Sequence, residues 1–339
     1  MDLIYTTPEM EDIGVLHTYE LDLAYGEDEN SFECAIPSKD HCCFAGSFLY
    51  VDDTEYGGIV DSIKSNTERQ EVTYSGRTWH GILASKIILP LQADGEPYVQ
   101  GVLVNESLVN QYLRISGDAN LCLAYLIERT GLEGLFAVSS SLSGIEISAY
   151  QFHRYTDLYT GIRKMLQSAG AKLRIRYKDG KAVLSAVPVV DYSDTEEFDS
   201  DQYSYTASRH FNTVNHLICL GTGELADRMV IHLYADADGN ISRTQTFTGL
   251  DDITATYDYP NVESEDELVS KGKEELRSMW EKNEIEISLD ESEAVYDVGD
   301  IVGAYDNVTD LASSAAIIKT IVTIKDGKID ISYEVGDKK

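Results

Sequence analysis

The chain has 339 residues, 43% hydrophobic and 25% charged, which is ordinary for a globular protein and long enough for two or three domains with separate cores. Its 59 acidic residues against 27 Lys and Arg leave a formal net charge of -32, a field that repels nucleic acid and excludes gripping it as a role. No segment approaches the roughly 18 uncharged apolar residues of a membrane helix, and Met1-Asp2-Leu3-Ile4 lacks the basic start and apolar run of a signal peptide, so folding in a cytoplasm is expected.

The first hundred residues predict closely spaced short strands. Residues 18–25 alternate, with Tyr19, Leu21, Leu23 and Tyr25 on one face, and 31–36, 47–51, 59–63 and 71–74 follow between glycine- and proline-bearing breaks. Such spacing implies a small barrel or sandwich. Thr78 is placed to cap a helix carrying Trp79, Ile82, Leu83 and Ile87 on one face and ended by Pro90.

From about Gly117 the period changes to that of helices, over 118–129 and 156–169, ending at Gly131 and Gly170. Strands at 173–177 and 182–190 are joined by Asp179-Gly180, a hairpin signal. This is an α+β unit. Six acids and no base between Asp191 and Asp201 read as an exposed linker. Strands at 214–220 and 229–234 are expected to be buried on both faces, and 263–280 reads as an acidic amphipathic helix with Leu268, Gly272, Leu276 and Met279 inward. The last strands fall at 285–289, 301–305, 317–324 and 328–335, the final two joined by Asp326-Gly327.

A short repeat runs through this layout. A strand opened by Gly46, the stretch Ile59-Val60-Asp61-Ser62-Ile63 and a close on Tyr74 and Gly76 are matched by Gly299, Ile317-Ile318-Lys319-Thr320-Ile321 and a close on Tyr333 and Gly336. The repeat predicts two similar barrels in one chain.

Motifs that carry chemistry are weak throughout. Asp236-Ala237-Asp238-Gly239-Asn240 departs from a calcium loop, with glycine fourth and Phe247 at position twelve, and reads as a turn. Gly221-Thr222-Gly223 lacks the third glycine of a dinucleotide fold. His41-Cys42-Cys43 has no second ligand pair at zinc spacing. Ser139, Ser140, Ser141 and Ser143 lie in no nucleophile elbow. His153, His210, His216 and His232 read as structural histidines. The five cysteines, Cys34, Cys42, Cys43, Cys122 and Cys219, read as reduced core thiols. Triplets of glycosylation type at Asn105, Asn240 and Asn307 are chance matches in a cytoplasmic chain. No catalytic, cofactor-binding or metal-ligating residue is assigned, and the chain is expected to be no enzyme and to need no cofactor.

The residues resemble a known family, the hub (baseplate hub) or tail-associated proteins of long-tailed siphophages. The resemblance covers nearly the whole chain. It rests on EYGGIVDSIKS (55–65) leading into TYSGRTWHGILASKIILP (73–90), on YQFHRYTDLYTGIRKMLQSAGAKL (150–173) and on CLGTGELADRMVIHLYADADGNI (219–241). YDVGDIVGAYDNVT (296–309) with IIKTIVTIKDGKIDISYEVG (317–336) looks like a second hub barrel. The fold class expected is α+β, mainly β. A first barrel would occupy 1–107, with 206–250 as a candidate completion, followed by an α+β insert at 108–192, strands and an amphipathic helix at 193–284, and a second barrel at 285–339.

The resemblance implies a homotrimer forming a pseudo-sixfold ring at the tail tip. Such a ring joins the tail tube or distal tail protein to a tip spike or fibre protein, lets genomic DNA pass without specific binding, and belongs to the virion after assembly in the bacterial host cytoplasm. Two other readings stand beside it. A tail-tip cell-wall hydrolase would need an acid pair, which 59 acids always contain somewhere. A carbohydrate-binding receptor module would use exposed members of the 22 tyrosines.

Overall fold

The computed structural model describes residues 2–93, 96–193, 204–208, 213–237, 239–262, 264–280, 284–288, 296–306, 311–325 and 327–337. These residues fall into two compact units. The first holds Met1–Ser204, Ile287–Ala304 and Ser313–Lys339, and the second holds Tyr205–Glu286 and Tyr305–Ala312.

The chain starts with β1 (Leu3–Thr6), β2 (Asp12–Leu16), β3 (Glu20–Gly26), β4 (Ser31–Pro37), β5 (Phe48–Tyr50), β6 (Gly57–Asn66) and β7 (Glu71–Thr78). Alternation in β3 buries Leu21, Leu23 and Tyr25, as the period-2 pattern predicts. Helix α1 (Trp79–Ala84) follows, its N-terminus capped by the Thr78 hydroxyl accepting from the Gly81 N–H. It ends earlier than the apolar spacing predicts. The Ser85 hydroxyl donates to the Ile82 carbonyl, and the chain then turns extended to bond Ile88 N–H to the Thr156 carbonyl. Ile88 is therefore the buried residue, and Ile87 lies outside.

The α+β portion contains β8 (Leu103–Val104), β9 (Arg114–Asp118), α2 (Ala119–Arg129), β10 (Phe136–Val138), β11 (Glu146–Gln151), α3 (Leu158–Gln167), β12 (Ala171–Lys178) and β13 (Lys181–Pro188). Two three-stranded sheets, in the orders β10-β13-β12 and β11-β9-β8, pack with the helices around one core. Asp179 and Gly180 both adopt positive φ, 52° and 76°, the geometry of a two-residue hairpin. Each helix stops at a left-handed glycine, Gly131 or Gly170.

The second unit contains β15 (His216–Leu220), β16 (Val230–Ala235), β17 (Ile241–Ser242), β18 (Thr254–Asp258) and α4 (Glu265–Trp280), with most of β14 (Ser204–Ser208) and the first part of β19 (Glu284–Ser288). Strands β15 to β18 form their own four-stranded sheet, in the order β17-β16-β15-β18, and do not complete the N-terminal sheet. Leu268 and Leu276 of α4 are buried against Leu217, Cys219 and Leu233. Strand β16 is buried on one face only, with Ile231 and Leu233 inside and Val230 and His232 exposed, because α4 covers a single side.

The C-terminal strands are β20 (Ile301–Asp306), β21 (Leu311–Lys325) and β22 (Lys328–Asp337), of which Ile301–Ala304 and Ser313 onward belong to the first unit. They do not make a second barrel. Lys319 to Ile324 of β21 pair antiparallel with Gly26 to Leu21 of β3, giving one ten-stranded sheet in the order β2-β1-β5-β6-β7-β4-β3-β21-β20, with β22 on β21. This sheet is not closed. Three strands are too few to close on themselves, whereas pairing with β3 satisfies the ladder of β21.

What the sequence repeat encodes is a hairpin. The register of β6 with β7 slips between Val60 and Ser62, and that of β21 with β22 slips between Ile317 and Lys319, so each matched stretch carries a bulge. Among the described residues no helix is long and apolar enough to cross a membrane.

Candidate functional site

The strongest concentration of buried chemistry lies in the first unit, where the β5–β6 turn, β12 and the start of the C-terminal segment meet. Residues 51–56 form a tight turn that docks on β12 through its backbone. Asp53 N–H donates to the Tyr177 carbonyl at 2.9 Å, and Tyr177 N–H to the Thr54 carbonyl at 3.0 Å. The docking directs the Glu55 side chain inward, where it is 5% exposed. Its Oε1 accepts the Ile175 N–H at 2.9 Å and the Arg176 guanidinium at 3.2 Å.

Burial penalises the charged form, and neither that N–H nor Arg176 compensates fully, so the Glu55 carboxyl is pushed up to about 7. His80 Nε2 lies 3.7 Å from Glu55 Oε2. Burial, with the Arg163 charge adding to it, lowers the imidazole to about 3, so His80 is neutral and the contact is no ion pair at neutral pH. Tyr25 stacks on His80 with centroids 4.4 Å apart.

Toward the N-terminal end of β12 the charges are fully paired. Lys172 Nζ contacts both Asp300 oxygens at 2.6 Å and Asp297 at 2.8 Å, and Arg174 reaches Asp297 at 2.9 Å. Asp300 also accepts the Val190 and Asp297 N–H groups. The two cations hold the Asp297 carboxyl below the usual range despite its burial.

Between these groups lies a half-open cavity of about 100 Å³. One wall is a row across three strands, since Thr320 of β21 stands opposite Tyr25 of β3 and Tyr333 of β22 and directly opposed residues share a face. Asp53, Thr54, Glu55, Tyr56, Arg176, Tyr296 and Asp297 line the remainder. The Thr320 hydroxyl is buried beside the Tyr25 hydroxyl but makes no hydrogen bond of good geometry among the described residues.

The residues weighed from sequence go elsewhere. His41 Nδ1 meets the Tyr74 hydroxyl at 2.8 Å, and that hydroxyl accepts the Cys42 and Cys43 N–H groups, so this triplet closes a loop over the sheet core. The five thiols are free, and burial pushes Cys34 and Cys122 up to about 12. Ser143 and Gly144 bond the Asp118 carboxylate that caps α2. Gly221 and Gly223 flank a turn in which Gly221 N–H donates to the Met229 carbonyl. Asp236 accepts from Asn240 in a turn, and Asp238 lies outside the described residues, as do His210, the bulk of the acidic stretch 191–201 and Asp326. His216 and His232, expected to be structural histidines, are joined at 2.8 Å, and His216 also meets Asp252 at 3.2 Å. Among the described residues no group of three or more His, Cys, Asp or Glu side chains is arranged to hold a metal.

Glu55 and Asp297 carry no sequence signal of their own. Each stands in an acidic, tyrosine-bearing turn, and its partners lie about 120 residues away.

No family model matches the chain, and no curated protein matches it. Solved structures do. The chain is similar to the tail protein from Neisseria meningitidis MC58, at 11% identity and a TM-score of 0.43, covering 99% of this chain and 96% of that one. It is similar to prophage tail protein gp18 from Listeria monocytogenes EGD-e, at 12% identity and 0.47, covering 100% and 96%. The prophage MuSo2 43 kDa tail protein from Shewanella oneidensis gives 11% identity and 0.45, covering 99% and 98%.

Proposed function

We propose that the chain is a structural hub protein of a phage tail tip, three copies of which form a ring between the tail tube and threefold tip components. The observation that carries this reading is the meeting of the strands from segments 55–90 and 296–336, two of the stretches on which the hub resemblance rests, in one large sheet that is left open. At one end of that sheet β2 has a strand neighbour on a single side among the described residues, and Ile13 and Val15 of β2 are exposed. An open edge with apolar side chains is a template for pairing with another chain. A ring of copies gives such an edge a partner.

The charge fits the same role. DNA passing through a tail must not adhere to the wall, and a net charge of -32 per chain removes the phosphate contacts from which salt-dependent affinity arises. The test is electron microscopy of the purified chain with its neighbouring tube protein. Threefold rings stacked on tube discs are expected; isolated single chains that leave the discs bare would sink the proposal.

A further inference from the structure

We propose that the cavity between Glu55 and the row Tyr25, Thr320 and Tyr333 is a binding site for one primary ammonium group, carried by a lysine side chain of a partner protein or by a free small amine. This goes beyond the structural role and does not depend on it.

The chemistry of the lining selects the ligand. Tyrosine and threonine hydroxyls and the carboxylates of Asp53, Glu55 and Asp297 are acceptors, and Arg176 is the cation among the lining residues. Asp297 is already neutralised by Lys172 and Arg174. Glu55 is not. Its Oε1 is occupied by Ile175 N–H and Arg176, and its other neighbours, the Tyr25 hydroxyl and the His80 imidazole 3.7 Å from Oε2, are neutral. Arg176 itself is 38% exposed on its side chain and shared with the Ile175 carbonyl, so it screens Glu55 incompletely.

A group with three N–H donors and one positive charge completes this set. It supplies a donor to Glu55 and one to the Thr320 hydroxyl, which is buried beside Tyr25 without a hydrogen bond of good geometry among the described residues, and it meets the tyrosine rings that line the cavity. Ammonium groups held against aromatic faces are favoured by the ring quadrupole, the more so when desolvated. Size sets the upper limit. About 100 Å³ takes an ammonium with a short methylene stem and excludes a ring.

Binding displaces a proton, because Glu55 holds one for part of the time near neutrality. The groups facing Glu55 are Tyr25 on β3, His80 on α1, Tyr56 in its own turn, Arg176 on β12 and Asp297 ahead of β20. His80 is neutral throughout the range of interest, so Glu55 sets the pH dependence.

The probe is n-butylammonium chloride titrated into the full chain by calorimetry, in two buffers of different ionisation heat. Saturable binding is expected, with release of a fraction of a proton at pH 7 and an affinity about tenfold weaker at pH 6 than at pH 8, following the ionised fraction of Glu55. Glu55→Gln should weaken binding at least tenfold at pH 8, Thr320→Val by a smaller factor, and cyclohexylammonium should not bind. A lysine-bearing peptide that binds where its norleucine counterpart does not identifies a protein source; binding of butylammonium without the peptide identifies a free amine. Absence of saturable binding by either probe, affinity independent of pH, or unchanged affinity in a folded Glu55→Gln variant would overturn the proposal. The pH arm uses the unaltered chain and stands whether or not the variant folds.

Discussion

The Lys172 ammonium lies 2.6 Å from both carboxylate oxygens of Asp300, 128 positions away, with both residues nearly sealed from solvent. Together with Asp297 and Arg174 this contact ties β12 to the chain just ahead of β20. A buried pair of this kind contributes little relative to a well-packed apolar pair, but breaking it strands a charge. Lys172→Met is therefore expected to cost about 3 to 5 kcal/mol in urea unfolding. The Lys172→Met, Asp300→Asn double variant should recover part of that loss, with a coupling of about 1 kcal/mol or more. Additive losses would mean that the two side chains do not act as a unit.

Glu55 gives the stability of the first unit a pH dependence of unusual sign. Its folded value, about 7, lies above the ordinary 4.5, so between those values the folded state keeps a proton that the unfolded state has released. Stability from this group is full below pH 4.5 and falls as pH rises toward 7, by on the order of 3 kcal/mol. Glu55→Gln removes the penalty. The variant should be more stable than the unaltered chain at pH 8, with the difference vanishing near pH 4.5, as read by denaturant midpoints across that range. A variant less stable at pH 8 would show that the ionised carboxylate is needed for packing.

Trp79 is fully buried, stacked on Tyr177 with centroids 4.9 Å apart and an interplanar angle of 5°, and on Phe48 at 5.9 Å. Trp79→Ala is expected to cost about 3 to 5 kcal/mol. Trp79→Phe should cost clearly less, because the indole N–H has no partner among the described residues and its loss leaves no orphaned acceptor. Equal losses in thermal or urea unfolding would reveal a hydrogen bond to that N–H.

The bulged β6–β7 hairpin demands glycine where its strands approach most closely. A Cβ on Gly76 would strike the backbone carbonyl of Ile59, which cannot swing away as a side chain can. Gly76→Ala is expected to destabilise by about 2 kcal/mol or more. Gly134→Ala, which meets nothing within 4 Å, is the control and should change the unfolding midpoint little.

Local chemistry made much of this fold legible in the sequence. The Thr78 cap, the Asp179-Gly180 hairpin and the glycines closing α2 and α3 are each decided within a few residues, and each stands where the pattern puts it. The long-range choices were not legible. Nothing in the last strands shows that β21 pairs with β3 rather than within a barrel of its own, because alternation fixes which face is buried and not which edge is joined. The burial of Glu55 was hidden for the same reason. A glutamate after Asp52, Asp53 and Thr54 reads as part of a solvated turn until Ile175, 120 positions on, is brought against it.

The hub reading is tested most directly by the native mass of the full chain at low and high salt, alone and with the tube protein. Three chains each carrying -32 repel one another, so a ring must be held by strand edges and apolar contacts, and screening should preserve or strengthen it. The expected result is a trimer that persists or grows in proportion as salt rises. A chain that stays monomeric with its partner in both conditions, or that binds duplex DNA at moderate salt, would contradict the account.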